Sequence, residues 1–383
     1  MSNKSIYPVC SLDRNKAKWE DHMYDQTPVE LHEHDGMKMW FKREDCFAPL
    51  GYGGINGSKL RQAIYLMDEH LKAGGSPDLA SASVIGSPQL FMGAALAKHY
   101  GGHTWSVLGV TTPDKCIKHA MVRSASWFGV NWSFCGSGFN SALQPFCLEL
   151  QKEFCPKGLY MQYGITLDHE VETPKAIAEF HKVGGHQVKN IPDNIETLIL
   201  PFGSANSASS FFTGLAMYPK PNLKRVVLIG IGPNKLRWVE KRLSIIGKEL
   251  NLPHITAWSK NYVDNRDLED APKPKTRRLF GGTPKAEAIE PLFEVEHHDL
   301  HTTKRYAYSD LVPAQWGEIE MHPRYEGKVL TYVVENLPHY VNDKSLFWIV
   351  GSYPRVADMK ENCPELGDEP TEVVHNTFKP AKK

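Results

Sequence analysis

The sequence predicts an α/β protein of two lobes, each a mostly parallel sheet flanked by helices, with a cleft between them. Three observations point there. The chain runs to 383 residues, more than one hydrophobic core comfortably serves, so two lobes, or one large domain with an inserted lobe, are expected. From residue 57 to about 250, short apolar runs alternate with amphipathic stretches, the pattern of strands joined by crossover helices. Most of these runs end in glycine, serine or proline, which puts tight loops at strand carboxyl ends, the edge where open α/β sheets bind ligands.

The strands read from this pattern are Ala80 to Ile85, Trp105 to Val110, Val130 to Cys135, Thr197 to Phe202 and Arg225 to Ile231. The first helix is expected to begin at Ser58 as N-cap, with Leu60, Ala63, Ile64, Met67 and Leu71 on one face, and to end at Gly74 and Gly75. Residues 260 to 320 are charged and proline-rich and read as long loops with short elements. Regularity returns at Val329 to Val334 and at Ser345 to Val350, a buried strand, while the tail after Asp368 is expected to fray.

Lysine plus arginine and aspartate plus glutamate stand at 44 each and 41% of residues are apolar, an ordinary globular composition. Net charge therefore gives no indication of a nucleic-acid partner, although local patches escape such a count. The seven cysteines are scattered with no Cys-x-x-Cys pair, which fits a reducing compartment, and no signal-peptide core or long apolar run occurs. The expected location is the cytoplasm.

The most informative segment is Lys42 to Arg61, KREDCFAPLGYGGINGSKLR, a glycine-rich turn leading straight into a helix with Lys59 in its first turn. The helix start and partial burial both lower a lysine's pKa, and a neutral amine is what attacks an aldehyde. On its own, Lys59 reads as one solvated surface lysine among many. Ser81 to Gln89 ends a strand in a serine turn, and Leu198 to Ser207 is a strand, a small-residue turn and a helix start, a geometry that suits a phosphate. Alone, each is also an ordinary βα loop. His297, His298 and His301 lack a partner at diagnostic spacing and read as solvated or structural rather than metal ligands, and Cys135 reads as a buried thiol.

Taken in order, these segments resemble the fold-type II, tryptophan synthase β-like, pyridoxal-phosphate enzymes. Gly57 to Arg61 is similar to their Gly-x-Asn-Lys-Leu-Arg, with serine for asparagine. Met321 to Lys328 resembles the Asp-Pro-Val-Tyr-x-Gly-Lys stretch of the ACC deaminase and D-cysteine desulfhydrase group. The likeness covers about residues 40 to 355 and is thin from 240 to 300. It implies pyridoxal 5′-phosphate held as a Schiff base on Lys59, a phosphate cup of Gly203, Ser204, Ala205, Asn206 and Ser207, and a homodimer. It also implies a substrate carboxylate at Ser87 and Gln89, and Tyr325 as a catalytic hydrogen-bond or proton-transfer group, with Tyr308 as a second active-site tyrosine. Two positions depart from the pattern: Pro88 replaces an asparagine that bonds the cofactor ring, and Val350 replaces a threonine that faces the ring nitrogen, leaving Ser352 as the substitute partner.

The resulting expectation is a large cofactor-binding lobe of residues 1–61 and 169–383, a small inserted lobe of 62–168, and the cofactor between them. The main reading is a lyase or deaminase acting at the α-carbon of an amino-acid-like substrate. One rival keeps the cofactor but takes an amino-acid-modified nucleoside in DNA, by decarboxylation or aldol-type cleavage. Another is a non-catalytic binding relative of the fold.

Overall fold

A computed structural model describes residues 18–49, 55–168, 170–252, 255–256, 262–265, 293–301, 303, 305–307, 309–351, 353 and 356–380, with only the backbone at 262–265, 358 and 362. In chain order the strands are β1 (Val29–His34), β2 (Met37–Arg43), β3 (Ser76–Ser83), β4 (Thr104–Gly109), β5 (Val130–Cys135), β6 (Gly158–Met161), β7 (Thr197–Phe202), β8 (Arg225–Gly230), β9 (Tyr262–Asn265), β10 (Glu294–Asp299), β11 (Gln315–Trp316), β12 (Ile319–Glu320) and β13 (Ser345–Ile349). The helices are α1 (Ser58–Lys72), α2 (Gln89–His99), α3 (Pro113–Cys116), α4 (Ala120–Trp127), α5 (Asn140–Phe154), α6 (Pro174–Gly185), α7 (Asn206–Met217), α8 (Leu236–Glu249), α9 (Glu326–Asn336) and α10 (Val356–Asn362). No helix among the described residues is long and apolar enough to cross a membrane.

The chain divides into two units. One comprises Tyr24–Cys46 and Asp168–Ser352; the other comprises Phe47–Leu167 with the described residues of 9–23 and 353–383. The sequence reading placed the small lobe at 62–168; here the second unit runs through Leu167 and the first resumes at Asp168. Residues 47–61 and the C-terminal segment, expected in the larger lobe, pack instead with the second unit.

The first unit is a seven-stranded sheet in the order β1-β2-β13-β7-β8-β10-β9. All pairings are parallel except the β1–β2 hairpin at one edge. Strands β7 and β13 are buried along their whole length, as continuous apolar runs covered on both faces must be. Alternation along β13 shows this: Phe347 and Ile349 join a core with Val329, Leu330 and Val333 of α9, while Trp348 meets Phe211 of α7 edge-on. Strand β10 was not legible as a strand, because its Glu-Val-Glu-His-His-Asp text is polar. The structure satisfies those groups internally: His298 bonds Tyr332 Oη at 3.0 Å and Glu296 at 2.8 Å. His297 and His298 are buried rather than solvated.

The second unit is an all-parallel sheet in the order β5-β4-β3-β6. Leu143, Phe146, Cys147 and Leu150 of α5 cover one face over Ala80, Ala82 and Val107. Its first helix starts one residue earlier than expected in role: Ser58 is already helical, and the cap position is Gly57 at φ 91, a left-handed conformation that glycine adopts without a Cβ penalty. The tail expected to fray is tied down. Trp132 of edge strand β5 exchanges backbone bonds with Val374 and Asn376, at 2.9 Å each, and Phe378 packs on the core. An exposed strand edge is thereby paired.

Candidate active site

Lys59 is the second residue of α1 and half-buried. The segment before it is a brace. Arg43 forms a fork onto Asp45, with Nε 3.0 Å from Oδ1 and Nη2 2.8 Å from Oδ2, and Lys42 Nζ donates to Thr27 O and to Asn190 Oδ1 at 2.9 and 2.7 Å. In the second unit, Arg61 Nη1 donates to Met23 O at 2.6 Å and its guanidinium lies 3.9 Å from the Phe47 ring centroid. Gly57 N donates to Phe47 O at 3.0 Å. The charged residues of the Lys-Arg-Glu-Asp and Lys-Leu-Arg motifs thus fix backbone, and Lys59 is the motif residue set at the helix mouth.

Because α1 runs into β3 through the short turn at 73–75, its start lies toward the carboxyl edge of the four-stranded sheet. The Ser87 turn lies there too. Ser87 is buried, its N–H donates to Val84 O at 3.0 Å, and its Oγ accepts the Gln89 N–H at 3.4 Å. Gln89 is committed to backbone: Nε2 donates to Met161 O and Gln162 O at 3.2 and 2.9 Å, and Oε1 accepts Gly164 N–H at 2.7 Å. It shapes the loop after β6.

In the first unit, the turn from Gly203 to Ser207 follows β7 and opens α7, with Ala205 in the left-handed conformation at φ 71. Behind it lies a buried cation that the sequence reading missed. Arg242 of α8 donates from Nη1 to Asn206 Oδ1 at 2.8 Å, lies 3.1 Å from His181 Nε2, and stacks 3.4 Å from the Trp238 ring centroid. His181 Nδ1 pairs with Ser210 Oγ at 2.9 Å. Burial, then the Arg242 charge, holds His181 well below the usual histidine range, and burial brings Arg242 down to about 9 against the opposing pull of Asp168.

Tyr325 is half-buried, sits at the N-terminal boundary of α9 without a side-chain capping bond, and packs against the His322 ring at a centroid distance of 4.6 Å. The residue beside it is the more telling. Glu326 is fully buried. Its Oε1 accepts the N–H of Val350, at the end of β13, at 2.9 Å, while Oε2 is buried with no hydrogen-bond partner among the described residues. Burial pushes this carboxyl up to about 8, despite the N–H groups of Glu326, Val350 and Gly351 and with a further push from Asp45. The signal for it was present in Tyr325-Glu326-Gly327-Lys328, since an acid between apolar helix positions is a candidate for function. Lys328 is likewise buried; Nζ donates to Ala307 O at 2.8 Å, and desolvation lowers it to about 8. Tyr308 and Ser352 lie outside the described residues. Among the expected residues, the structure gathers the 203–207 turn and Val350 at the carboxyl ends of the neighbouring strands β7 and β13, and Lys59 and Ser87 within the other unit.

No protein-family model matches the chain. Over 395 aligned residues it is 52% identical to a protein of Salmonella phage ViI described as O-seryl-dTMP PLP-dependent decarboxylase, covering 98% of this chain and 93% of that protein. The chain belongs to this family of pyridoxal-phosphate enzymes. Its fold is that of the fold-type II group: the crystal structure of an ACC deaminase homologue superimposes with a TM-score of 0.57 at 14% identity, over 89% of this chain and 94% of that one. A weaker likeness, TM-score 0.48 at 12% identity over 88% and 95% of the two chains, to an O-acetylserine-dependent cystathionine β-synthase from Helicobacter pylori adds nothing to it.

The residues present fit pyridoxal phosphate. A phosphate suits the 203–207 turn, where a helix start and the Arg242 charge behind Asn206 act together. A pyridine nitrogen suits the buried Glu326 Oε2, which has no hydrogen-bond partner among the described residues. Pro88, at φ −65, simply precedes the first residue of α2.

Proposed function

We propose that this enzyme decarboxylates an O-seryl thymidine nucleotide, free or within a DNA strand. The observation that carries the reading is 52% identity across 98% of the chain to the phage decarboxylase. It replaces the lyase or deaminase expectation with the rival reaction on a modified nucleoside. The likeness to the ACC deaminase homologue speaks for fold, not for reaction.

Decarboxylation breaks the bond between the α-carbon and its carboxylate; carbon dioxide leaves, the bonding pair stays on the α-carbon, and a proton takes the vacated place. Pyridoxal phosphate, when bound, supplies the electron sink for that pair. Glu326 decides how deep the sink is. Expecting only a neutral hydroxyl at Ser352 implied an unprotonated ring nitrogen and modest carbanion stabilisation. An acid in its place donates to, or protonates, the nitrogen and supports the more demanding reaction. Lys59 holds the cofactor and delivers the proton to the α-carbon, with Tyr325 as hydrogen-bond partner. The 203–207 turn holds the phosphate, and Ser87 orients the substrate carboxylate.

The test is to incubate purified holoenzyme with O-seryl-dTMP and with an oligonucleotide containing it, and to follow product mass. Loss of one carbon dioxide with the amine retained is the expected result. Release of ammonia would restore the deaminase reading and overturn this one.

A further inference from the structure

Two large apolar side chains stand in solvent close to one another at the carboxyl edge of the four-stranded sheet. Val110, directly after β4, is 70% exposed, and Phe139, directly before α5, is 78% exposed. Val110 also adopts φ 56, a left-handed conformation that is strained for a β-branched residue and that persists only where the surroundings impose it. The surroundings here are explicit. Val110 N–H donates to Cys135 O at 2.9 Å, and Gly109 sits so close under the 137–138 backbone that a Cβ would meet Ser137 O at 2.5 Å. A Cβ on Gly138 would lie 3.2 Å from Val110 Cγ2 and 3.8 Å from Val84 Cγ1. The two loops are pressed together, and the packing turns Val110 outward when an ordinary conformation would cost less.

Three features say what covers this pad. It adjoins the turn assigned above to the substrate carboxylate, since Val84 O accepts the Ser87 N–H at 3.0 Å. It lies one to two strand spacings from the end of β3, roughly 5–10 Å, a distance on the scale of a nucleotide. Beside it, the segment after Val110 exposes Lys115 and Lys118 against the single acid Asp114, a cationic rim suited to phosphate. A free amino acid such as serine has no apolar group to lay on such a surface, whereas a pyrimidine has a flat ring.

We propose that Phe139 and Val110, backed by Val84, seat the pyrimidine ring of the substrate, with Lys115 and Lys118 on the side of its phosphate. This rests on the decarboxylase reading and names the residues that select a nucleotide over a free amino acid. Stacking on an aromatic ring is the general way proteins hold an unpaired base.

The experiment measures dTMP binding to holoenzyme by calorimetry, and KM and kcat for O-seryl-dTMP, in the wild type and in Phe139→Ala, Phe139→Trp and Val110→Gly. Phe139→Ala is expected to weaken dTMP binding and raise KM about tenfold, with kcat moved less than about twofold, and Phe139→Trp to restore both. Val110→Gly relieves the backbone strain, so its melting temperature is expected to rise while its KM rises too, a combination that a purely structural role does not give. An unchanged dTMP affinity and KM in Phe139→Ala overturns the pad. A wild type that binds dTMP in a Phe139-dependent way yet releases no carbon dioxide overturns the reaction and leaves the pad standing.

Discussion

Glu326 accepts the backbone N–H of Val350 at 2.9 Å, so the main chain at the end of β13 holds a buried acid where the Val350 side chain offers no hydrogen bond of its own. Glu326→Gln keeps the size of the group and a carbonyl oxygen for Val350 but removes the acid. Cofactor binding should persist, while the decarboxylation rate falls about a hundredfold, the scale of a lost acid–base group. Single-turnover rates and the absorbance of the bound cofactor read the two effects separately. An unaltered rate removes Glu326 from the chemistry.

The same carboxyl gives a pH dependence in protein stripped of cofactor. Its folded-state pKa is raised from 4.5 to about 8 by burial, so between those values the folded chain holds a proton that the unfolded chain has lost. Stability contributed by this proton is fully present below 4.5 and is lost as pH rises toward 8. Denaturant titrations across that window should show the wild type weakening with pH, and Glu326→Gln should flatten the slope. Equal slopes in the two proteins contradict the assignment.

Much of this architecture was legible in the text because its strands are apolar and its turns are glycine-marked. Thr197 to Phe202 and Val130 to Cys135 came out residue for residue, the first because a strand buried along its whole length reads as a nearly continuous apolar run. Strand β10 was hidden because its polar side chains are satisfied by Tyr332 and Tyr340, which come from elsewhere in the chain. The order of motifs pointed to the cofactor, which the phage relative supports. What the motifs could not give were partners in space: Arg242 lies 36 residues from Asn206, and Glu326 lies 24 from Val350. The reaction was open for the same reason, as Pro88 and Val350 drew attention while the acid beside Tyr325 did not.

Gln89 was expected to touch substrate, but its amide is spent on three backbone groups of the loop after β6. Gln89→Ala should therefore cost about 1–3 kcal/mol of stability by leaving two carbonyl acceptors and one N–H donor of the loop unpaired. The measurement is chemical denaturation beside KM. A large rise in KM without loss of stability would return Gln89 to a direct binding role.

Lys59 is the proposed position of cofactor attachment. Borohydride treatment of the wild type followed by peptide mapping should place the reduced cofactor on the peptide containing Lys59. Lys59→Ala should lack that label and lose turnover by several orders of magnitude. A label found on Lys42 or Lys328 would move the attachment site.

Arg242 places a buried guanidinium behind the 203–207 turn, the proposed phosphate site, without reaching the surface. Because its guanidinium fixes Asn206 at the first position of α7, removing it takes away both a charge and the geometry of the turn. Arg242→Met preserves much of the packing on Trp238 and should weaken pyridoxal phosphate binding about tenfold, with Arg242→Lys in between, since a point charge recovers attraction but not the planar contacts. Competition by inorganic phosphate separates the phosphate turn from the rest of the site. If Arg242→Met loses cofactor affinity but competes with phosphate as the wild type does, the cation acts on the fold of α7 and α8, not on the anion.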